Sequence, residues 1–319
     1  MGSLELAVEN LTSPPVLAFV LGGLAVFLKS DLRLPDPIHT WLSTYLLLAI
    51  GLKGGHALKS TNAADLALPV LATLALAVIV PVVVFTVSRT LLQHSAADSG
   101  SLAAHFGSVS AVTFTAATVF AAGAGYAVEP FMTALVAVLE VPGILVALVL
   151  ASMMGTGTSW RTAVHEVLTG RSVLLLAGGI VIGAVGKDAT YTKVEPLFVG
   201  LFTGLLTLFL LDMGATAASA LKRSRALDTK TVVFGLVAPL VFGCVGALLG
   251  TAVGLGVGGA GVFATMAASA SYIAAPAATR LALPDANPGL ALGVSLGVTF
   301  PLNLAVGIPL YFALARAVG

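Results

Sequence analysis

The chain has 319 residues, of which 58% are hydrophobic and 9% are charged, and its formal net charge is +1. An ordinary soluble domain carries about 25% charged residues, and a soluble fold of this length could not bury so much apolar surface. The composition therefore predicts an integral membrane protein. A single cysteine excludes a disulfide-stapled secreted module, and the scattered basic residues argue against nucleic-acid binding.

Ten apolar runs follow one another along the chain, each long enough to cross about 30 Å of hydrocarbon as a helix. They are mostly apolar on every face, unlike the short alternating segments of a transmembrane barrel. We therefore expect an all-α integral membrane protein with ten transmembrane helices. The predicted spans lie near residues 14–29, 38–59, 65–92, 101–121, 129–155, 166–186, 194–221, 229–254, 260–281 and 288–317.

The loops between the predicted spans differ in their content of basic residues. Loops that follow odd-numbered spans hold ten Lys and Arg residues, whereas the other set holds five. Because cytoplasmic loops are enriched in Lys and Arg, both termini are predicted to be extracytoplasmic. The first residues carry Glu5 and Glu9 but no basic residue, so we do not expect a cleavable signal peptide. The prediction is a multi-pass protein of the cell membrane, plasma or inner.

The two halves of the sequence, 1–160 and 161–319, match through three anchors in the same order at a nearly constant separation. Each half holds five predicted spans, so the second copy begins on the opposite side of the membrane. The sequence therefore predicts a 5+5 inverted repeat, a plan that many secondary transporters share. The anchors are Ser108-Val109-Ser110 with Ser269-Ala270-Ser271, Glu129-Pro130 with Asn287-Pro288, and Pro142 with Pro301.

Spans 4 and 9 are the least regular of the predicted helices, because both are dense in Gly, Ala, Ser and Thr. Pro276 lacks a backbone donor and disfavours helix at Ala275, and Gly107 is a weaker helix breaker. We expect both helices to be broken, near Ser108–Ala111 and Ser269–Ile273. Non-helical backbone at that depth is tolerated only where it lines a cavity or is buried in protein.

If the two breaks cross, the N-termini of two half-helices meet near the middle of the membrane. Each presents free N–H groups and about half a positive charge, which together form an anion site without Arg or Lys. The opposing carbonyl ends and the Ser and Thr hydroxyls suit a hard cation such as Na⁺. The alternative is that the small residues only allow close helix packing. Matched clusters in both halves favour a functional role.

Glu140 lies near the middle of span 5, where an ionised carboxylate is costly and is by default a functional hypothesis. Its counterpart in the second half is Thr299, with Asn303 one turn further on. These three residues would bring oxygen ligands to the same depth and support a Na⁺ site. The alternative is a protonated or hydrogen-bonded Glu140 that fixes the kink at Pro142.

Three other features are less specific. Asp212 is either an inner-vestibule residue or a hydrogen-bonding residue between packed helices, and Lys53 is expected to extend toward the nearer interface. The spacings Gly51–Gly55 and Gly246–Gly250–Gly254 predict close helix packing. No metal-ligand spacing and no catalytic motif is found, so we do not expect an enzyme.

From about residue 13 to the C-terminus, segments of both halves resemble the SbtA-type sodium-dependent bicarbonate transporters. The segments are LAIGLKGGHAL, HFGSVSAVTF, LEVPGILVA, ASASYIAAPAATRLALPDANP and TFPLNLAVGIPLY. The resemblance implies Na⁺ as the coupling ion and bicarbonate bound between the broken helices. It also implies a homotrimer in which an elevator-like core, spans 3–5 and 8–10, moves against a scaffold, spans 1–2 and 6–7.

The resemblance assigns binding residues by position. The substrate-binding candidates are Gly107, Ser108, Val109, Ser110 and Ala111 at the first crossover, with Ser269, Ala270, Ser271, Tyr272 and Ile273 at the second. The candidate Na⁺ ligands are Ser110, Thr113, Glu140, Ser271, Thr299 and Asn303.

Two departures from the family pattern affect these expectations. Tyr272 stands where the cyanobacterial members have Asp, and Ala111 where they have Gly, so one fewer carboxylate could change the Na⁺ stoichiometry or the substrate. Those members also carry a long cytoplasmic insertion between spans 5 and 6, of which only about 156–165 remains here. The short segment argues against the PII-like regulatory partner that the family suggests.

The leading hypothesis is a Na⁺-coupled symporter that imports bicarbonate. One alternative is a Na⁺-coupled carrier of another small anion, such as a short organic acid. A second is a Na⁺/H⁺ exchanger in which Glu140 titrates. A third is a membrane scaffold that transports nothing.

Overall fold

The computed structural model describes residues 11–30, 32–154, 164–165, 168–223 and 227–319. Within these ranges the chain forms helices joined by loops and contains no strand, which confirms the all-α prediction. Six helical stretches are long and apolar enough to cross a membrane. The shorter apolar helices Pro14–Phe27, Arg171–Val185 and Val257–Ala268 accompany them. Each of the ten predicted apolar runs overlaps at least one of these helices.

We number the helices in chain order. They are α1 (Pro14–Phe27), α2 (Asp36–Leu58), α3 (Ala63–Thr90), α4 (Ala96–Gly107), α5 (Ala111–Gly123), α6 (Met132–Met153), α7 (Arg171–Val185), α8 (Asp188–Glu195), α9 (Phe202–Arg223), α10 (Thr229–Ala252), α11 (Val257–Ala268), α12 (Ala274–Ala282) and the continuous helical stretch α13 (Pro288–Val318).

Four helices pack as two close pairs, α1 with α9 and α2 with α7. Glycine allows the backbones to approach, since a Cβ at Gly22 of α1 would lie 1.8 Å from the Leu211 carbonyl oxygen of α9. In the other pair, a Cβ at Gly55 of α2 would lie 1.9 Å from the Ile180 carbonyl oxygen of α7. The packing role predicted for the Gly51–Gly55 spacing is confirmed.

The remaining helices form two further groups. Helix α3 packs on α4 and α6, and α10 packs on α11 and α13. Gly246 and Gly250 of α10 lie against Ala264 and Ala260 of α11, as their spacing predicted. Gly254 was wrongly included in this face, because it follows the end of α10 in a left-handed turn with φ of 87°.

Helix α13 is irregular around Pro301. Wide π-helical turns at Ser295–Thr299 and Asn303–Gly307 flank the short α-helical segment Phe300–Leu302. Proline supplies no N–H to a regular helical ladder, and π-turns are a common response where a helix accommodates such a gap. Thr299 and Asn303, two of the predicted Na⁺ ligands, lie on these turns.

Asp212 is a packing residue. Its side chain is buried in α9, where Oδ1 accepts the Leu34 N–H at 3.1 Å and Oδ2 lies 2.7 Å from His39 Nδ1. These contacts join α9 to the segment between α1 and α2 and to the first turn of α2, which favours the second of the two interpretations drawn from the sequence. The Lys53 ammonium of α2 lies 4.8 Å from the centre of the Phe202 ring of α9, which is a cation–π contact.

Candidate functional site

Both predicted helix breaks are present. Helix α4 ends at Gly107 and α5 begins at Ala111, while α11 ends at Ala268 and α12 begins at Ala274. Ser108 and Ser269, the first residues after the two ended helices, both adopt extended backbone. One local expectation was wrong, because Ala275 is helical and Pro276 lies in the first turn of α12. Proline is tolerated there because the first-turn N–H groups have no intrahelical partner.

The two breaks contact each other through reciprocal hydrogen bonds. Ser110 donates its N–H to Ser269 Oγ at 3.0 Å, and Ser271 donates its N–H to the His105 carbonyl oxygen at 2.7 Å. In each break, one backbone N–H is therefore hydrogen-bonded to an acceptor in the other half of the chain. All of these residues are buried, so the bonds form away from bulk water.

The segments between the half-helices contain the predicted binding residues, and the structure brings the two groups together. Ser110 Oγ caps α5 by accepting the Thr113 N–H at 3.1 Å, and Ser271 Oγ accepts the Ala275 N–H at 3.3 Å in α12. Each hydroxyl oxygen keeps a second lone pair that can face a cation. The joined candidates are Gly107, Ser108, Val109, Ser110, Ala111 and Thr113 with Ser269, Ala270, Ser271, Tyr272 and Ile273.

Three buried polar atoms around this contact have no hydrogen-bond partner in the described part of the chain. They are Ser108 Oγ, Tyr272 OH and His105 Nε2. The Tyr272 hydroxyl lies near the Ser110 side chain, and its ring packs edge-on against Phe300 with centroids 5.2 Å apart. Buried polar groups are nearly always paired, so orphaned groups at one locality indicate a place for a polar ligand or ordered water.

His105 was not singled out by the sequence, although it opens the HFGSVS segment. Its Nδ1 lies 2.7 Å from the Ser101 carbonyl oxygen and must act as the donor there, because a carbonyl can only accept. In the neutral ring the unpartnered Nε2 is then an acceptor. The histidine therefore leaves a buried, unpartnered acceptor on α4, the helix whose His105 carbonyl oxygen accepts the Ser271 N–H.

The last carbonyl of each half-helix is held differently. In the second half, Asn303 Nδ2 donates to the Ala268 carbonyl oxygen at 2.9 Å, and Tyr311 OH lies 2.9 Å from Asn303 Oδ1 and 3.0 Å from the Pro239 carbonyl oxygen. In the first half, the backbone of Gly143 approaches Gly107 so closely that a Cβ would lie 1.7 Å from the Gly107 carbonyl oxygen.

The predicted Na⁺ ligands of α6 and α13 differ in the partners that their side chains contact. Thr299 donates its hydroxyl to the Gly235 carbonyl oxygen at 2.8 Å, and Asn303 is engaged as described above. Glu140 is buried on α6, at 4% exposure, and no other described residue forms a hydrogen bond or ion pair with its carboxyl group. An unpartnered acid at this depth is costly, which is the pattern of a functional group rather than a packing group.

A bundle of long apolar helices that contains two mutually contacting helix breaks has the architecture of a secondary membrane transporter. The sequence model of the Na⁺-dependent bicarbonate transporter superfamily matches residues 14–316. The chain therefore belongs to this superfamily, a family of transporters, which confirms the resemblance found in the sequence. No curated protein matches the chain.

Proposed function

We propose that the protein is a Na⁺-coupled symporter that imports bicarbonate, and that both ligands bind where the two helix breaks meet. The observation that carries this proposal is the reciprocal contact of the breaks, Ser110 to Ser269 and Ser271 to His105. It directs the start of α5 and the start of α12 toward a common region. Helix N-termini favour anions, and the neighbouring hydroxyl and carbonyl oxygens favour Na⁺.

The proposal includes an inverted repeat of residues 1–160 and 161–319. Sequence position relates α1 to α7, α2 to α9, α3 to α10, α4 to α11, α5 to α12 and α6 to α13. Under this correspondence the packed pair α1–α9 becomes the packed pair α7–α2, as a two-fold axis requires. Helices α4 and α11 also have the same length of 12 residues. These relationships support five spans in each half and ten in all.

The candidate residues of the two breaks have no charged side chain, and their neutral donors and acceptors suit an anion that binds together with Na⁺. Ser108 and Tyr272 bring hydroxyl donors, and the candidate ligands Ser110, Thr113 and Ser271 bring oxygens that can accept a cation. A bound Na⁺ would attract the anion electrostatically, so each ligand binds better when the other is present. One Na⁺ with one bicarbonate moves no net charge, whereas a second Na⁺ would add about 2.3 kcal/mol per 100 mV.

The finer architecture belongs to the same proposal. Spans 3–5 and 8–10 form the mobile core and spans 1–2 and 6–7 the scaffold, which assembles as a homotrimer in the cell membrane. The close glycine contacts within the pairs α1–α9 and α2–α7 support a rigid scaffold. The excess of Lys and Arg in the loops that follow odd-numbered spans supports extracytoplasmic termini.

Uptake of carbon-14-labelled bicarbonate into proteoliposomes tests the proposal. With the purified full chain we expect saturable uptake that requires a Na⁺ gradient and collapses when K⁺ replaces Na⁺. Equal uptake in both salts would reject coupling to Na⁺. A panel of short organic acids added as competitors separates bicarbonate from the other small anions, because the true substrate inhibits most strongly at equal concentration.

The unpartnered Glu140 supports one second candidate, a Na⁺/H⁺ exchanger in which this carboxyl group carries the proton. An exchanger moves protons in the absence of bicarbonate, whereas the symporter does not. A pH-sensitive dye trapped in the same proteoliposomes distinguishes them when a Na⁺ gradient is applied in bicarbonate-free buffer.

A further inference from the structure

A cavity of about 200 Å³ lies between the start of α7 and the start of α12. Gly170, Arg171 and Ser172 line one side of it, and Ile273 and Ala274 of the second helix break line the other. We call this space the α7 cavity. A water molecule occupies about 30 Å³ of liquid, so the cavity has room for an oxyanion of the size of bicarbonate.

The polar lining of the α7 cavity is positive and hydrogen-bond donating. Arg171 donates one N–H to the Thr40 carbonyl oxygen at 3.2 Å, which leaves other guanidinium N–H groups to face a ligand. Among the described residues no carboxylate lies within 4.0 Å of this guanidinium. Arg171 is exposed, and its one described side-chain hydrogen bond goes to a neutral group, so no described partner neutralises the guanidinium charge.

Ser172 supplies an independent indication of a ligand. The residue is 94% buried, since its exposure is 6%, and no other described residue forms a hydrogen bond with its hydroxyl group. The residue nevertheless lines the cavity. Buried hydroxyl groups are normally paired. An unpaired one beside an arginine and at the beginning of a helix is suited to an anion.

Helix α7 strengthens this preference. Gly170 precedes it with extended backbone and offers no side-chain cap, so the first turn of the helix has no capping partner of its own. The positive end of the α7 macrodipole points toward the same space as Arg171 and Ser172. Ile273 and Ala274 connect the space to the proposed crossover site.

We propose that the α7 cavity is a second anion site, a staging position that bicarbonate occupies between the crossover and the cytoplasmic face. The identity of the anion rests on the proposed function, whereas the position rests on Arg171 and Ser172. The site offers the released anion two side-chain donors, Arg171 and Ser172, in an otherwise apolar cavity at the end of α7 that the loop count assigns to the cytoplasm. It therefore sets the apparent affinity for bicarbonate on that face alone.

The test compares bicarbonate uptake into right-side-out and inside-out membrane vesicles that contain the full chain. The variants are Arg171→Gln and Ser172→Ala, with Arg171→Lys to restore the charge. Hydrogen bonds to charged groups contribute about 1.5–3 kcal/mol, so we expect Arg171→Gln to raise the KM for bicarbonate about tenfold or more in inside-out vesicles. The KM in right-side-out vesicles should change less than about twofold. Arg171→Lys should recover part of the loss.

Lys187→Gln is the matched control, because it removes one positive charge at the opposite end of α7. It should leave the KM on both faces at the wild-type value. Ser172→Ala keeps the Arg171–Thr40 contact, so it tests the site without loosening α7 from α2. Equal KM changes on both faces, or none on either, would overturn the staging site.

A second measurement separates this proposal from the proposed function. If wild-type vesicles take up no bicarbonate, symport is rejected, but binding to the α7 cavity is still measurable in the purified protein. Bicarbonate should then raise the unfolding temperature relative to equal chloride, and Arg171→Gln should lose part of that shift while Lys187→Gln keeps it. An identical shift in both variants and the wild type would overturn the site.

Discussion

Ser110 donates its backbone N–H to the side-chain oxygen of Ser269 at 3.0 Å, although the two residues are 159 positions apart in the chain. Ser269 Oγ in turn lies 2.9 Å from the Met266 carbonyl oxygen of its own helix. The hydroxyl group of Ser269 thus links the end of α11 to the start of α5. One of the two hydrogen bonds that join the breaks therefore depends on this side chain.

Ser269→Ala should leave the Ser110 N–H buried without an acceptor. We expect the loss of about 1–3 kcal/mol from the free energy of unfolding and a large decrease in Na⁺-dependent bicarbonate uptake. Thermal unfolding in detergent and uptake into proteoliposomes measure the two effects. Ser152→Ala is the control, because its hydroxyl only donates to the Val149 carbonyl oxygen of its own helix. Wild-type stability of Ser269→Ala would contradict the linking role.

Gly143→Ala should disrupt the packing of α6 on the end of α4. The added Cβ would lie 1.7 Å from the Gly107 carbonyl oxygen, and this oxygen is a backbone atom that cannot rotate away. Overpacking of this kind costs about 3 kcal/mol or more, so we expect a lower unfolding temperature and little uptake. Gly178→Ala in α7 is the matched control, since no atom lies within 4 Å of its added Cβ. A stable, active Gly143→Ala protein would refute the close approach.

Glu140→Gln should change the dependence of uptake on Na⁺ more than it changes stability. The substitution keeps the size of the side chain and removes a carboxyl group that has no described partner. We expect the Na⁺ concentration for half-maximal uptake to rise about tenfold, the effect of losing roughly 1.4 kcal/mol of ion binding. Glu195→Gln, at the exposed end of α8, should behave as wild type. Unchanged Na⁺ dependence of Glu140→Gln would remove Glu140 from the cation site.

Tyr272→Phe and Tyr311→Phe should have opposite effects. Tyr272 OH is buried without a hydrogen bond, so its removal should not lower the unfolding temperature but should weaken bicarbonate uptake if the hydroxyl faces the anion. Tyr311 OH lies within hydrogen-bond distance of Asn303 and Pro239, so its removal should cost about 1 kcal/mol or more of stability. Uptake and thermal unfolding of both variants make the comparison. Wild-type uptake by Tyr272→Phe would exclude its hydroxyl from the anion site.

Asp228 caps α10 and should make stability depend on pH. Its Oδ1 accepts the Thr231 N–H at 2.7 Å, and hydrogen bonds from Thr231 hold the pKa of the Asp228 carboxyl below its usual value. The stabilisation is therefore present above the usual pKa of about 4 and is lost as the pH falls through the lower folded-state pKa. We expect Asp228→Ala to lower stability by about 1 kcal/mol at pH 7.

The difference between Asp228→Ala and wild type should shrink as the pH is lowered below about 4. Asp228→Asn, which can still accept the Thr231 N–H, should keep most of the stability. Asp65→Ala is the control, because Asn62 rather than Asp65 caps α3. A difference between Asp228→Ala and wild type that stays constant across this pH range would show that the charge of the cap is irrelevant.

Hydropathy and residue size predicted much of this fold. Apolar runs located the helices, and the density of small and hydroxyl residues located both breaks, predicted near Ser108–Ala111 and Ser269–Ile273. The error at Ala275 has a local reason, because the effect of Pro276 depends on whether it stands inside a helix or in its first turn. The sequence alone did not show that α12 begins at Ala274, which places Pro276 in its first turn.

The side-chain partners of the site could not be predicted in the same way. The proposed repeat identified Asn303 as a polar residue at the depth predicted for the Na⁺ ligands. It could not identify the Ala268 carbonyl oxygen as the acceptor of Asn303, because that contact depends on how α13 packs on α11. The importance of Gly143 likewise depends on the distance between two backbones. His105 Nε2 is noticeable only because the surrounding structure leaves it unpartnered.

The C-terminal ends of α4 and α11 are held by different kinds of contact. The terminal carbonyl of α11 is fastened by the Asn303 amide and, behind it, by Tyr311, whereas the end of α4 rests against the bare backbone of Gly143. The directional hydrogen bonds of Asn303 and Tyr311 fix the position of the Ala268 carbonyl group. The contact between Gly143 and Gly107 requires only that position 143 has no side chain. The two helix ends are therefore not interchangeable. A protein built from two copies of residues 1–160 would have the glycine contact twice, and one built from two copies of residues 161–319 would have the hydrogen-bonded carbonyl twice.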